Sequence, residues 1–138
     1  MKILGLDLGS KTLGVASSDT SQTIASRIST ITFEPNSFKF AIRQLNELID
    51  FTQYEKIVLG LPKNMDGSLG SQAQDTLVFK RKLEGLTNLE VVLWDERLTS
   101  KMANAMMITA DLSRKKRKKK VDYVAATIIL QSYLDSRK

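Results

Sequence analysis

"LGLDLGSKTLGVASSD", residues 4–19, sets one aspartate, Asp7, inside a run that otherwise reads as a buried strand. Ile3, Leu4, Leu6 and Leu8 surround it, the Gly9-Ser10-Lys11 turn follows, and Leu13-Gly14-Val15-Ala16 resumes the apolar pattern. This predicts a strand over 2–8 paired as a hairpin with a second strand. A charged carboxylate at such a place costs several kcal/mol unless something pairs with it. Two explanations are open. Asp7 can close the strand by bonding the turn amides of Gly9, Ser10 and Lys11. It can also be one ligand of a cation, which requires other carboxylates at the same sheet edge.

Outward from the hairpin, residues 24–33 read as a third strand, ending before Glu34-Pro35-Asn36. Phe38, Ile42, Leu45, Leu48 and Ile49 then recur at helical spacing, predicting a helix over 38–52 with Ser37 as N-cap. "KIVLG" (56–60) is a strand, and 61–70 is a loop carrying Pro62, Asp66-Gly67 and Gly70. Ser71 is expected to cap a helix over 72–84, "LEVVLW" (89–94) is a strand, and Thr99 or Ser100 can start a helix to about Met107. Segment 109–118 has no apolar periodicity, and the basic run 114–120 is expected to be a mobile loop. Val121, Val124, Ala125, Ile128 and Ile129, continuing to Tyr133-Leu134, describe a final helix with a broad apolar face. Three strands, helix and strand alternating twice, then a helix: the order predicts an α/β fold, a mixed sheet with helices on both faces.

The chain has 138 residues, 42% of them hydrophobic, which suits one domain over 1–138 without a linker or repeat. Cysteine and histidine are both absent, which excludes disulfides, Ser-His-Asp and Cys-His machinery, and zinc held by thiolate or imidazole. Any metal must be bound through oxygen. No apolar stretch approaches the ~20 residues that span a bilayer, and Asp7 interrupts any signal-peptide core, so cytoplasmic residence is expected. The net charge of +6 is localised: Arg114, Lys115, Lys116, Arg117, Lys118, Lys119 and Lys120 hold seven of the 21 basic residues, and the remaining 14 face 15 acidic ones. A near-neutral body with one cationic arm suggests a polyanion, nucleic acid foremost, although such runs also serve as solvated loops, targeting tags or membrane contacts.

Two further acids fall at element boundaries. "WDERLTS" (94–100) ends a strand, where α/β sheets collect ligands, and alternation lets only one of Asp95 and Glu96 face the side of Asp7. If Trp94 packs inward, Glu96 shares its face; alternatively Glu96 pairs with a surface cation. Asp122 follows the basic run in the first turn of the last helix, where the helix dipole alone would account for it. If the three converge, they suit Mg²⁺ or Mn²⁺, and two such ions ~3.5–4 Å apart support phosphodiester hydrolysis.

Four ordered blocks, "GLDLGSKTLGVASSD" (5–19), "GLPKNMDGSLG" (60–70), "WDERLTS" (94–100) and "RKKRKKKVDYVAATIILQSYL" (114–134), resemble the YqgF/RuvX family of the RNase H-like superfamily, described as Holliday junction resolvases or pre-16S rRNA nucleases. The resemblance implies a five-stranded mixed sheet in a three-layer α/β/α arrangement. It implies Asp7, Glu96 and Asp122 as catalytic metal ligands, with Asp95 less secure. Lys11, Arg97 and the basic run become phosphate contacts, and Asp66 a substrate or turn residue. Thr12 stands where the family usually has Arg, which removes one cationic contact. The substrate implied first is pre-16S rRNA and second a branched DNA junction, handled by a monomer or a homodimer. Two other readings compete. The first block also resembles the phosphate turn of actin-like ATPases and sugar kinases, but that fold needs two such domains. A binding module that has lost catalysis would not be expected to keep all three acids.

Overall fold

The two strands predicted around the Gly9-Ser10-Lys11 turn form as β1 (Lys2–Leu8) and β2 (Thr12–Ser18), an antiparallel hairpin closed by the bond from Gly9 N to the Thr12 carbonyl at 2.7 Å. The structure is a computed structural model that describes residues 1–35, 37–96 and 114–137, with the backbone alone for 114–124. The chain continues through β3 (Ala25–Thr32), α1 (Phe38–Leu48), β4 (Tyr54–Leu61), α2 (Ser71–Thr87), β5 (Glu90–Asp95) and α3 (Arg114–Ser136). The strands make one sheet in the order β3-β2-β1-β4-β5. β1, β2 and β3 pair antiparallel, whereas β4 runs parallel to β1 and β5 parallel to β4, so the expected mixed five-stranded sheet is present.

Alternation along the central strand sorts the core into two layers. Leu4, Leu6 and Leu8 face a cluster with Phe38, Leu45, Phe79 and Leu83 of α1 and α2, while Ile3 joins Ala126, Ile129, Leu130 and Leu134 of α3 on the other face. A strand covered on both sides loses its polar alternation, which is why β1 reads as apolar throughout apart from Asp7.

Some boundaries move. α1 stops at Leu48, because Ile49 turns extended (φ −118°, ψ 133°) and Asp50 then accepts a bond from Thr52 N in a short 3₁₀ turn, Phe51–Gln53. Ser37 occupies the N-cap position of α1 without a side-chain capping bond, and Gly70, not Ser71, precedes α2. The basic run is not a loop: the backbone is helical from Arg114 onward. Lys and Arg are good helix formers, so a run without an apolar stripe can still take a helical backbone. Asp122 accordingly lies more than two turns inside α3, and the dipole explanation for it falls away. The helix expected near 99–107, and Arg97, lie outside the described residues. No helix among the described residues is long and apolar enough to cross a membrane.

Candidate active site

β1, β4 and β5 are parallel, so their C-terminal ends share one edge, and the strand alternation decides which carboxylates meet there. Asp7 follows Ile3 and Gly5 on the α3 face of β1. At the far strand Glu96 extends the ladder one residue beyond β5, its N–H donating to the Leu61 carbonyl at 3.1 Å. Trp94 packs toward α3, donating from Nε1 to Ser132 Oγ at 3.2 Å and meeting the Tyr133 ring edge-on at 5.6 Å. Glu96 therefore turns to the α3 face as well, and Asp95 is sent to the opposite one.

The two carboxyl groups are hydrogen-bonded to each other. Burial first, then the bond to Asp7 and the charges of Asp7 and Asp95, push the Glu96 carboxyl up from 4.5 to about 9. Glu96 thus keeps a proton at neutral pH and donates it to the Asp7 carboxylate. Two carboxyl groups that share one proton are a place where a positive charge is favoured, and a divalent ion can replace that proton.

Glycine makes the space. A Cβ on Gly60 would lie 2.9 Å from both Cγ and Cδ of Glu96 and 2.7 Å from Ile129 Cδ1, so only glycine lets the Glu96 side chain cross β4 beneath α3. A Cβ on Gly5 would lie 2.7 Å from Leu130 Cβ and 3.2 Å from the Ala126 carbonyl, which sets how closely α3 rests on β1. The end of β1 is held from the other layer by Gln72, whose Nε2 donates to the Leu8 carbonyl at 3.0 Å. None of these three positions stood out in the sequence as part of a site. A glycine inside the strand pattern "KIVLG" was the available signal for Gly60.

α3 runs antiparallel to β1, since Lys56 Nζ, beside Ile3 in the register, reaches Tyr133 Oη at 3.3 Å while Gly5 lies under Ala126 and Leu130. Position 122 lies one turn before Ala126, ~6 Å along the helix, and Asp7 lies ~6.6 Å beyond Gly5 in the same direction. The backbone register thus brings position 122 to the level of Asp7. Its side chain is outside the described part of the structure, and among the described residues no group of three acids is placed to hold a metal.

The other expected contacts divide. Lys11 is exposed at the tip of the hairpin turn. Asp66 Oδ1 accepts from Ser68 N at 2.9 Å and from Ser68 Oγ at 2.6 Å, and Gly67 follows at φ 89°, so Asp66 shapes its loop. Side chains of Arg114 to Lys120 are not described.

A family model described as "RuvX: Holliday junction resolvase" matches residues 1–136. The chain belongs to the RuvX (YqgF) family. Relatives agree end to end. The chain is 49% identical over 137 residues to a protein of Geobacillus sp. (strain WCH70) named "Putative pre-16S rRNA nuclease", covering 99% of both chains. A Bacillus subtilis (strain 168) protein of the same name is 51% identical over 136 residues, again with 99% of each covered. Among solved structures, Thermus thermophilus RuvC in complex with a Holliday junction substrate superposes with a TM-score of 0.59 at 12% identity, covering 99% of this chain and 95% of that one. At that identity the likeness establishes the fold, which is RNase H-like. The RuvX family is one of nucleases, and this member is a nuclease by that membership.

Proposed function

We propose that the chain hydrolyses phosphodiester bonds of pre-16S rRNA, with Asp7, Glu96 and Asp122 as a carboxylate set for one or two Mg²⁺ or Mn²⁺ ions. The observation that carries the reading is the carboxyl pair itself: Asp7 and Glu96, 89 positions apart in the chain, are bonded to each other on the α3 face at the C-terminal strand edge. Oxygen-only donors in a chain without histidine or cysteine fit hard divalent cations. When bound, such an ion polarises a phosphate oxygen and lowers the pKa of the attacking water. The protein's part is to fix the donors. Asp7 is set by the hairpin and Glu96 by the ladder bond to Leu61 and the space over Gly60, and the backbone of α3 carries position 122 toward the same edge. Lys11, Arg97 and the run from Arg114 to Lys120 supply cations for the flanking phosphates, a guanidinium being able to grip two oxygens at once. The named relatives favour rRNA as substrate; the family description and the RuvC-like fold keep a four-way DNA junction as the second reading.

The test is cleavage of a labelled pre-16S leader and of a four-way junction, each with Mg²⁺, with Mn²⁺ and with EDTA, by the wild type and by Asp7→Asn, Glu96→Gln and Asp122→Asn. Metal-dependent cutting of the leader that each substitution lowers by two orders of magnitude or more is expected. Cutting that survives Asp7→Asn would remove the assignment.

A further inference from the structure

Beside the hairpin turn, between the end of β3 and the start of α1, lies a cavity of about 520 Å³ lined by Lys11, Thr32, Phe33, Glu34, Ser37 and Phe40. Its floor is packed: Phe33 is buried and meets Phe38 edge-on at 6.1 Å. Its wall is unexpected. α1 buries Phe38, Ala41, Ile42 and Leu45, yet Phe40 points away from that stripe and is 45% exposed, with Lys39 and Arg43 exposed beside it. The core has no use for an aromatic ring there. Ser37 also keeps its hydroxyl, which makes no capping bond.

Lys11 joins the cavity to the hairpin that carries Asp7. Phe33 N donates to the Lys11 carbonyl at 2.8 Å, tying the turn to the end of β3. Lys11 is four residues from Asp7, so their Cα atoms are no more than ~14 Å apart. The end of β3 and the hairpin turn lie at the same sheet edge as Asp7, the cavity on the α1 side and Asp7 on the α3 side, so a polynucleotide that crosses this edge reaches both. A flat ring, a carboxylate, hydroxyls and an ammonium group together are the chemistry that holds a splayed-out base and its phosphate.

We infer that this cavity receives one unpaired guanine nucleotide flanking the cleaved bond, its base stacked on Phe40, its N1–H and N2–H donated to the Glu34 carboxylate, and its phosphate near Lys11. The inference rests on the nuclease reading above and adds to it a requirement for a single-stranded segment and a base preference.

Binding of fluorescein-labelled heptaribonucleotides to the full chain, in EDTA so that no cleavage occurs, tests it. The probes are oligoadenylate with one central guanine, the same with inosine, which lacks the N2 amine, oligoadenylate alone, and a blunt duplex. The guanine probe is expected to bind about tenfold tighter than oligoadenylate, with inosine between them and the duplex weakest. Phe40→Ala should weaken the guanine probe about tenfold and Phe40→Trp should not, while Glu34→Gln should erase the guanine preference and leave oligoadenylate unchanged. Circular dichroism checks the fold of these surface variants. If the wild type binds and cuts RNA but neither Phe40→Ala nor Glu34→Gln changes affinity or preference, the pocket assignment is wrong and the nuclease reading stands. Glu34→Gln strengthening every probe equally would indicate removal of a repelling charge and would also overturn base recognition. A wild type that neither binds nor cuts any RNA would overturn the underlying reading and this inference with it.

Discussion

Replacing Glu96 by Gln should change how folding stability depends on pH, and the sign follows from the carboxyl pair. In the folded chain Glu96 holds its proton up to about 9, against an ordinary value of 4.5. Between those values the folded state binds one more proton than the unfolded state, so stability contributed by this group is intact below pH 4.5 and is lost as pH rises toward 9. From pH 4.5 to 7 the loss is at most ~3 kcal/mol, at ~1.4 kcal/mol per pH step. The chain suits the measurement, because with no histidine or cysteine little else titrates in that window. Urea unfolding at intervals from pH 5 to 8, in EDTA, should show the wild-type midpoint falling by on the order of 1 M, and Glu96→Gln should flatten the curve. An amide keeps a donor for Asp7 without a charge to bury, so the variant should be the more stable protein at pH 8. A wild-type midpoint that rises through this range, or a Glu96→Gln protein less stable at every pH, would refute the shared-proton geometry.

Saturating Mg²⁺ or Mn²⁺ should raise the melting temperature of the wild type more at pH 8 than at pH 6, because the ion must displace the Glu96 proton; thermal scans of Asp7→Asn should show no such increment. Gly60→Ala should push the Glu96 side chain aside and lower cleavage at least tenfold while leaving an α/β circular dichroism spectrum; full activity would show that the gap over β4 is not needed. Gly5→Ala should cost about 1–3 kcal/mol in urea unfolding, because Leu130 Cβ belongs to a docked helix and cannot swing away. Replacing Lys115, Lys116, Lys118, Lys119 and Lys120 by Gln should flatten the salt dependence of RNA binding by up to about 3.5 in log–log slope, whatever the base sequence, and an unchanged slope would separate the run from phosphate.

Much of this was legible from residue order because the signals were local. Each strand core and the final apolar helix announced itself through spacing, and the alternation Trp94-Asp95-Glu96 was enough to say that only one acid could face Asp7. What stayed hidden were contacts made at a distance. Gly60 looked like ordinary strand punctuation because its occupant, Glu96, sits 36 positions away. The basic run read as irregular because helix propensity in a stretch of Lys and Arg leaves no periodic trace. Residue order alone left open which of Asp95 and Glu96 faces α3, and the packing of Trp94 against Ser132 and Tyr133 decides it. Phe40 passed for one more apolar residue in a helix until its exposure set it apart from Phe38.

Of the described elements, α3 is synthesised last, yet it alone covers Ile3, Ala16 and Val58. A growing chain must therefore carry one bare, greasy side of its sheet until the final helix emerges and docks. The same event delivers position 122 to the strand edge. During translation the chain is thus at its stickiest while the proposed scissors lack a blade, and a single docking step ends both conditions.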